Sequence, residues 1–167
     1  MFEYLKPFTR VIVTGPQRSG TRICAKMISA DTGLRYVDEQ EINVDSLYAL
    51  AHTLTEGNVV IQCPALSYWA WAVGTVDDVA VVLVRRPVVD IIASQESVGW
   101  KYEWLELMRY GAISGPIAEV KYRFWDETKD RIRHPFEVEY ESLKAHPLWI
   151  DKEARAGFGY DQTEAAA

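Results

Sequence analysis

Cysteine is scarce in this chain of 167 residues, which has only Cys24 and Cys63. The two lie far apart, show no metal-ligand spacing and form no disulfide framework, and each is flanked by apolar residues. Both are therefore expected as buried free thiols in a reducing compartment. No apolar run is long enough to span a bilayer, and the opening Met1–Pro7 stretch lacks the basic-then-apolar pattern of a secretory leader. A cytoplasmic protein without a membrane partner is expected. Repeats and low-complexity linkers are also missing. The length suits one domain, read here as residues 1–160, with 161–167 as a frayed tail.

Basic charge is in deficit too. The formal net charge of −6 argues against a nucleic-acid partner, since phosphate contacts along a duplex or strand need clustered Lys and Arg. The deficit is uneven, however. No Asp or Glu occurs from Phe8 to Ala30, where Arg10, Arg18, Arg22 and Lys26 lie, nor from Val79 to Val89, where Arg85 and Arg86 are adjacent. Two acid-free basic islands in an acidic chain point to a local anion site.

What the sequence has in quantity is apolar surface. Hydrophobic residues make up 49% and aromatic residues 12%, enough to fill a core. Arg10–Thr14 (RVIVT) reads as a buried strand, and Thr21–Ala30 as a helix ended by Thr32-Gly33. Leu34–Val37 reads as a second strand, followed by the polar loop Asp38-Glu39-Gln40-Glu41 and a helix over Asp45–Leu54 that Gly57 stops. Asn58–Gln62 is the third strand, and Pro64–Val73 an aromatic-rich helical stretch. Val79–Val84 (VAVVLV) is continuously apolar, as a central parallel strand covered on both faces must be. Helices are expected over Val88–Ser97, Trp100–Tyr110 and Ile117–Arg131, then an edge-type strand at Phe136–Tyr140 and short helical pieces at Ser142–Ala145 and Ile150–Ala156. Strands alternating with helices predict a three-layer α/β/α domain with a central parallel sheet of about five strands, and the glycine-bounded loop after the first strand resembles that of the P-loop NTPase-like kind.

Between the first strand and first helix lies Gly15-Pro16-Gln17-Arg18-Ser19-Gly20-Thr21-Arg22. Gly15, four residues, then Gly20-Thr21 makes a tight turn at a helix N-terminus, where backbone N–H groups and the helix dipole favour a phosphate or sulfate. Arg18 and Arg22 add charge, and Ser19 and Thr21 add hydroxyls. A nucleotide-hydrolysing loop continues with Gly-Lys-Ser/Thr, whereas here Thr21 stands at the lysine position. No later strand ends in a magnesium-binding acid, because the third leads into Gln62 and the fourth into Arg85. Ordinary NTP hydrolysis is therefore not expected, and no metal is expected.

Pro16-Gln17-Arg18-Ser19-Gly20-Thr21 resembles the 5′-phosphosulfate loop of the sulfotransferases, typically Pro-x-Lys/Arg-Ser/Thr-Gly-Thr-Thr. That family uses 3′-phosphoadenosine 5′-phosphosulfate (PAPS) to move a sulfuryl group to an alcohol or amine. The resemblance implies a cofactor-binding set of Pro16, Gln17, Arg18, Ser19, Gly20, Thr21 and Arg22. Arg18 stands for the usual lysine and acts electrostatically, while Arg22 replaces the family's second threonine. The family's second signature, an Arg and a Ser eight residues on with an acid between, is matched by Arg86, Asp90 and Ser94. The resemblance gives the 3′-phosphate to Arg86 and Ser94, although aligning on Pro87 would select Arg85 instead. Tyr140-Glu141-Ser142-Leu143 is similar to the family's Tyr-Glu-x-Leu segment, and Arg155-Ala156-Gly157 to its Arg-Lys-Gly clamp, which adds Arg155 as a ligand. The resemblance runs from about residue 10 to about residue 160 and rests on two short motifs.

A base for the acceptor is harder to find. Many members place a His after the third strand, where this chain has Gln62-Cys63-Pro64-Ala65. Others use a Glu after the second strand, which makes Glu39 the first candidate and Asp38 the second, with Glu41 close by. The same acids equally suit a solvated loop or the cap of the following helix. His52, His134 and His146 are expected to be structural. Trp100 and Trp104, one turn apart, suit helix packing or an aromatic pocket wall. Three readings stand: a PAPS-dependent sulfotransferase with an unknown acceptor, a non-catalytic module of the same fold that binds PAP, phosphate or a protein, and a P-loop nucleotide kinase or nucleotide-binding protein.

Overall fold

A computed structural model describes residues 1–42, 47–99 and 117–150. The expected helix at Trp100–Tyr110, Trp100 and Trp104 within it, Arg155 and the tail all lie outside the described residues. The architecture is α/β. Strands β1 (Arg10–Thr14), β2 (Arg35–Asp38), β3 (Val59–Gln62), β4 (Val79–Arg85) and β5 (His134–Glu139) form one sheet in the order β2-β3-β1-β4-β5, every neighbouring pair parallel.

Each inner strand is apolar on both faces because both faces are covered. Val11, Val13, Val60, Ala80, Val82 and Val84 point to one side, where they pack with Cys24, Ala25, Met27 and Ile28 of helix α1 (Thr21–Thr32) and with Phe2, Leu5 and Leu143. Ile12, Ile61, Val79, Val81 and Leu83 point to the other, against Leu50 of α2 (Leu47–Glu56), Leu66, Ala70 of the single-turn α3 (Ala70–Val73) and Trp125. Trp125 belongs to α5 (Ile117–Thr128), which follows α4 (Val88–Ser97) among the described helices. Fully burying each aliphatic side chain contributes roughly 1.5–3 kcal/mol, so the three layers hold together through this double-sided sheet.

Some boundaries differ from the sequence expectation. The stretch Pro64–Val73 divides into a 3-10 helix at Pro64–Tyr68 and α3. Asp38–Glu41 is a capped turn, since the Asp38 carboxylate accepts from the Gln40 amide and Glu41 reaches back to the Asp38 amide. The segment Tyr140–Ala145 is also a 3-10 helix. Both cysteines are buried and free, and burial pushes the Cys24 thiol far up. Among the described residues, no helix is long and apolar enough to cross a membrane.

The strand order positions the site. From β1 the chain leaves toward β2 and β3, and from β4 it leaves toward β5. The connections diverge between neighbouring β1 and β4, so a crevice opens at their carboxyl ends, the place where parallel α/β sheets receive ligands.

Candidate functional site

The loop between β1 and α1 fills the edge of that crevice. Thr14, the last residue of β1, hydrogen-bonds the Cys63 carbonyl at 3.0 Å and meets the Ser67 hydroxyl at 2.9 Å. Ser67 Oγ in turn lies 2.9 Å from the Pro64 carbonyl and 3.3 Å from that of Gly15, which fixes the loop to the end of β3. The turn needs its glycines. Gly15 has φ +145°, and a Cβ there would stand 2.9 Å from the Val84 carbonyl. Gly20 has φ +99°, and a Cβ there would lie 2.5 Å from the Tyr140 ring. The Ser19 amide donates to the Pro16 carbonyl at 3.1 Å, and α1 begins at Thr21, with its first amides directed out of the helix end.

Arg86 and Ser94 converge on this loop from the other side of the crevice. Arg86 Nη1 donates to the Arg18 carbonyl at 2.9 Å, and its guanidinium lies 4.3 Å from the Tyr140 ring centroid. The Tyr122 hydroxyl, 2.8 Å from the Arg86 amide, holds the backbone in place. Arg18 Nε donates to Ser94 Oγ at 3.2 Å, and Gln95 Nε2 donates to the Gln17 carbonyl at 3.1 Å, so α4 clasps the loop. Arg85 faces away, hydrogen-bonded to Glu137 and Asp126. Asp90 is exposed in the first turn of α4.

Two acids from the end of β2 reach the same edge of the sheet, where Asp38 is in register with Gln62. Asp38 pairs with Arg22 Nε at 3.0 Å and accepts from the Tyr36 hydroxyl at 2.6 Å. Burial opposes its ionisation, but the Tyr36 hydroxyl, the Gln40 amide and Arg22 outweigh burial and hold its carboxyl below the usual range. Glu39 behaves in the opposite way. Burial first, and then the neighbouring Asp38 charge, push it up to about 7 against the pull of Lys121, Arg22 and the Ala65 amide. The two adjacent carboxyls are thus pushed apart, one held as an anion and the other poised to exchange a proton near neutrality.

Three buried polar atoms have no partner among the described residues: Ser19 Oγ, Gln62 Oε1 and Arg86 Nε. Ser19 lies in this loop, Gln62 ends β3, and Arg86 directly follows β4. Gln62 Nε2 donates to Thr21 Oγ1 at 3.2 Å, while its own oxygen has no partner among the described residues. Buried polar groups without partners are uncommon and costly, at roughly 1–3 kcal/mol each.

Of the residues expected from sequence, Pro16 to Arg22, Arg86 and Ser94 come together, with Asp38 and Glu39 at the same strand edge. Glu41 serves the Asp38 cap. The histidines lie elsewhere: His146 meets Asp31 at 3.2 Å, His134 meets the Asp77 carbonyl at 2.8 Å, and His52 is exposed on α2. Lys121 was not anticipated. It is fully buried, donating to Gln17 Oε1 at 2.7 Å and to the Pro64 carbonyl at 3.3 Å. Its signal was present, because Lys121 sits four residues from Ile117 and four from Trp125, on the buried stripe of α5.

Compared with protein-family models and with curated proteins, the chain matches none.

Proposed function

We propose that this chain binds PAPS across the crevice between the β1 loop and the end of β4, and transfers its sulfuryl group to a hydroxyl or amine acceptor. One observation carries the reading: the two anion motifs, separated by 68 residues, meet through the Arg86–Arg18 carbonyl bond, with Ser94 on the Arg18 side chain. The donor set suits a nucleotide with phosphate at both ends. Ser19 and Arg86 carry buried polar atoms without partners among the described residues, and Gly20 leaves no room for a side chain. In this reading Pro16 to Thr21 and Arg22 hold the 5′ end, while Arg86 and Ser94 hold the 3′-phosphate. PAPS when bound supplies a sulfuryl group on a phosphate leaving group. Arg18 contributes fixed positive charge and cannot donate its proton, and Glu39 takes the acceptor's proton at its carboxylate.

A second reading, a module that binds nucleotide without turnover, is favoured by the residue next to the end of β3. Burial and the Glu39 charge push the Cys63 thiol up to about 12, so it offers no base at ordinary pH. Calorimetry with PAP, the desulfonated nucleotide, against ATP–Mg²⁺ tests the proposal, and PAP is expected to bind where ATP–Mg²⁺ does not. Preference for ATP–Mg²⁺ would move the chain to the nucleotide kinases. Silence toward both would sink the nucleotide reading and leave a protein-interaction module. PAP binding without transfer from labelled PAPS to any of a panel of alcohols and amines would select the non-catalytic module.

A further inference from the structure

We propose that Lys121 is a positioning residue of this site: its buried ammonium, delivered from α5, ties Gln17 of the loop to the Pro64 carbonyl behind β3 and supplies the counter-charge for the Glu39 carboxylate. The proposal deepens the reading of the loop and Glu39 as one site and rests on it.

An ammonium with none of its surface exposed is costly unless it is matched by acceptors and charge. Lys121 has both. Gln17 Oε1 and the Pro64 oxygen accept from it, and the Glu39 carboxyl accepts from the next residue's amide, that of Ala65, so the ammonium and the carboxyl meet the same turn after β3. Arg18 Nε reaches Ser94, Arg22 is paired with Asp38, and Arg86 lies against Tyr140 and the Arg18 carbonyl. Around Glu39 the charged and titratable groups among the described residues are Asp38, which opposes its ionisation, Lys121 and Arg22, which favour it, and the neutral Cys63 thiol, with the Ala65 amide donating to it. Lys121 and Arg22 are thus the two cations that favour the Glu39 carboxylate, and Arg22 also pairs with Asp38. The same ammonium fixes Gln17, whose carbonyl Gln95 holds from α4, so loop position and base ionisation share one anchor.

The test is an NMR titration of the Glu39 carboxyl, with ¹³C-labelled glutamate, in the parent and in Lys121→Met, Lys121→Gln and Lys121→Arg. The two neutral variants are expected to raise the Glu39 midpoint by about one pH unit or more, and Lys121→Arg to hold it near the parent value. Lys121→Gln keeps a donor for Gln17 and so guards against a packing defect in Lys121→Met. A folded neutral variant with the parent's midpoint would overturn the proposal, as would an equal shift in Lys121→Arg. PAP calorimetry on the same proteins separates the two claims. The neutral variants are expected to bind about tenfold more weakly. Failure of the parent to bind PAP would strike the nucleotide reading while leaving the titration result standing.

Discussion

Arg86 Nη1 donates to the carbonyl oxygen of Arg18 at 2.9 Å, while the adjacent Arg85 turns to Asp126 and Glu137. Two neighbouring guanidiniums at the end of one strand thus face opposite surroundings. Arg85 is satisfied by carboxylates, and its hydrogen bond, with those of Trp125 and Lys129, brings the Glu137 carboxyl down to about 2 against burial. Among the described residues the Arg86 guanidinium meets a peptide carbonyl and an aromatic face, and its Nε is buried without a partner. A neutral carbonyl is a weaker mate for a guanidinium than an anion is.

This division predicts a clean separation of two alanine variants. Arg86→Ala is expected to weaken PAP binding roughly tenfold to a hundredfold, the worth of hydrogen bonds between charged groups. Arg85→Ala is expected to leave PAP affinity near that of the parent and to lower stability by roughly 1–2 kcal/mol, discounted for the exposure of Asp126. Calorimetry and urea unfolding on both proteins decide. Unchanged affinity in Arg86→Ala would remove that residue from the anion site.

Gly20 links backbone conformation to the same guanidinium. A Cβ at Gly20 would press on the Tyr140 ring, against which Arg86 lies on one side and Trp149 packs at 5.5 Å. Gly33, with φ +81° and no atom of the described residues within 4 Å of a Cβ, carries the backbone penalty alone. Gly33→Ala is expected to cost about 1 kcal/mol, and Gly20→Ala a further 1–3 kcal/mol or so from overpacking, together with weaker PAP binding. Equal urea midpoints for the two variants would mean that Tyr140 yields freely.

Much of the frame was legible from the chain because its signals are local. The continuous apolar runs of β1, β3 and β4 demand cover on both faces, and Gly15 and Gly20 mark a turn that other residues strain to make. The family resemblance brought Arg86 and Ser94 forward as a pair, but the direction in which Arg85 turns depends on the carboxylates of Asp126 and Glu137, which come from α5 and β5. Lys121 was passed over for a related reason, although its spacing puts it on the buried stripe of α5. A lysine on an amphipathic helix ordinarily faces water, and only the packing of α5 on the Pro64–Tyr68 helix turns this one inward. Asp38 and Glu39, alike in kind and adjacent in sequence, diverge through partners that lie far along the chain.

That divergence makes a prediction about pH that does not depend on any ligand. Glu39 ionises near 4.5 when unfolded and is pushed up to about 7 when folded, by burial first and then by Asp38. Below its unfolded value the group is protonated in both states and has no differential effect. Between that value and about 7 the folded protein retains a proton that the unfolded chain has lost, so stability falls as pH rises, by up to roughly 3 kcal/mol in all, and levels off above. Glu137, brought down to about 2, works in the opposite direction but in a separate window, its contribution being lost as pH falls below about 4.5. Replacing Glu39 by Gln removes the titrating group, so Glu39→Gln is expected to be the more stable protein above about pH 7 and to lose the decline between pH 5 and 7 or so. As the proposed base, the same residue is expected to make sulfuryl transfer rise through about pH 7 in the parent and fall roughly 10²–10⁴-fold in Glu39→Gln. Urea unfolding across the pH range reads the first effect and initial rates with PAPS the second. A Glu39→Gln stability curve parallel to that of the parent between those pH values would show that the proton resides elsewhere.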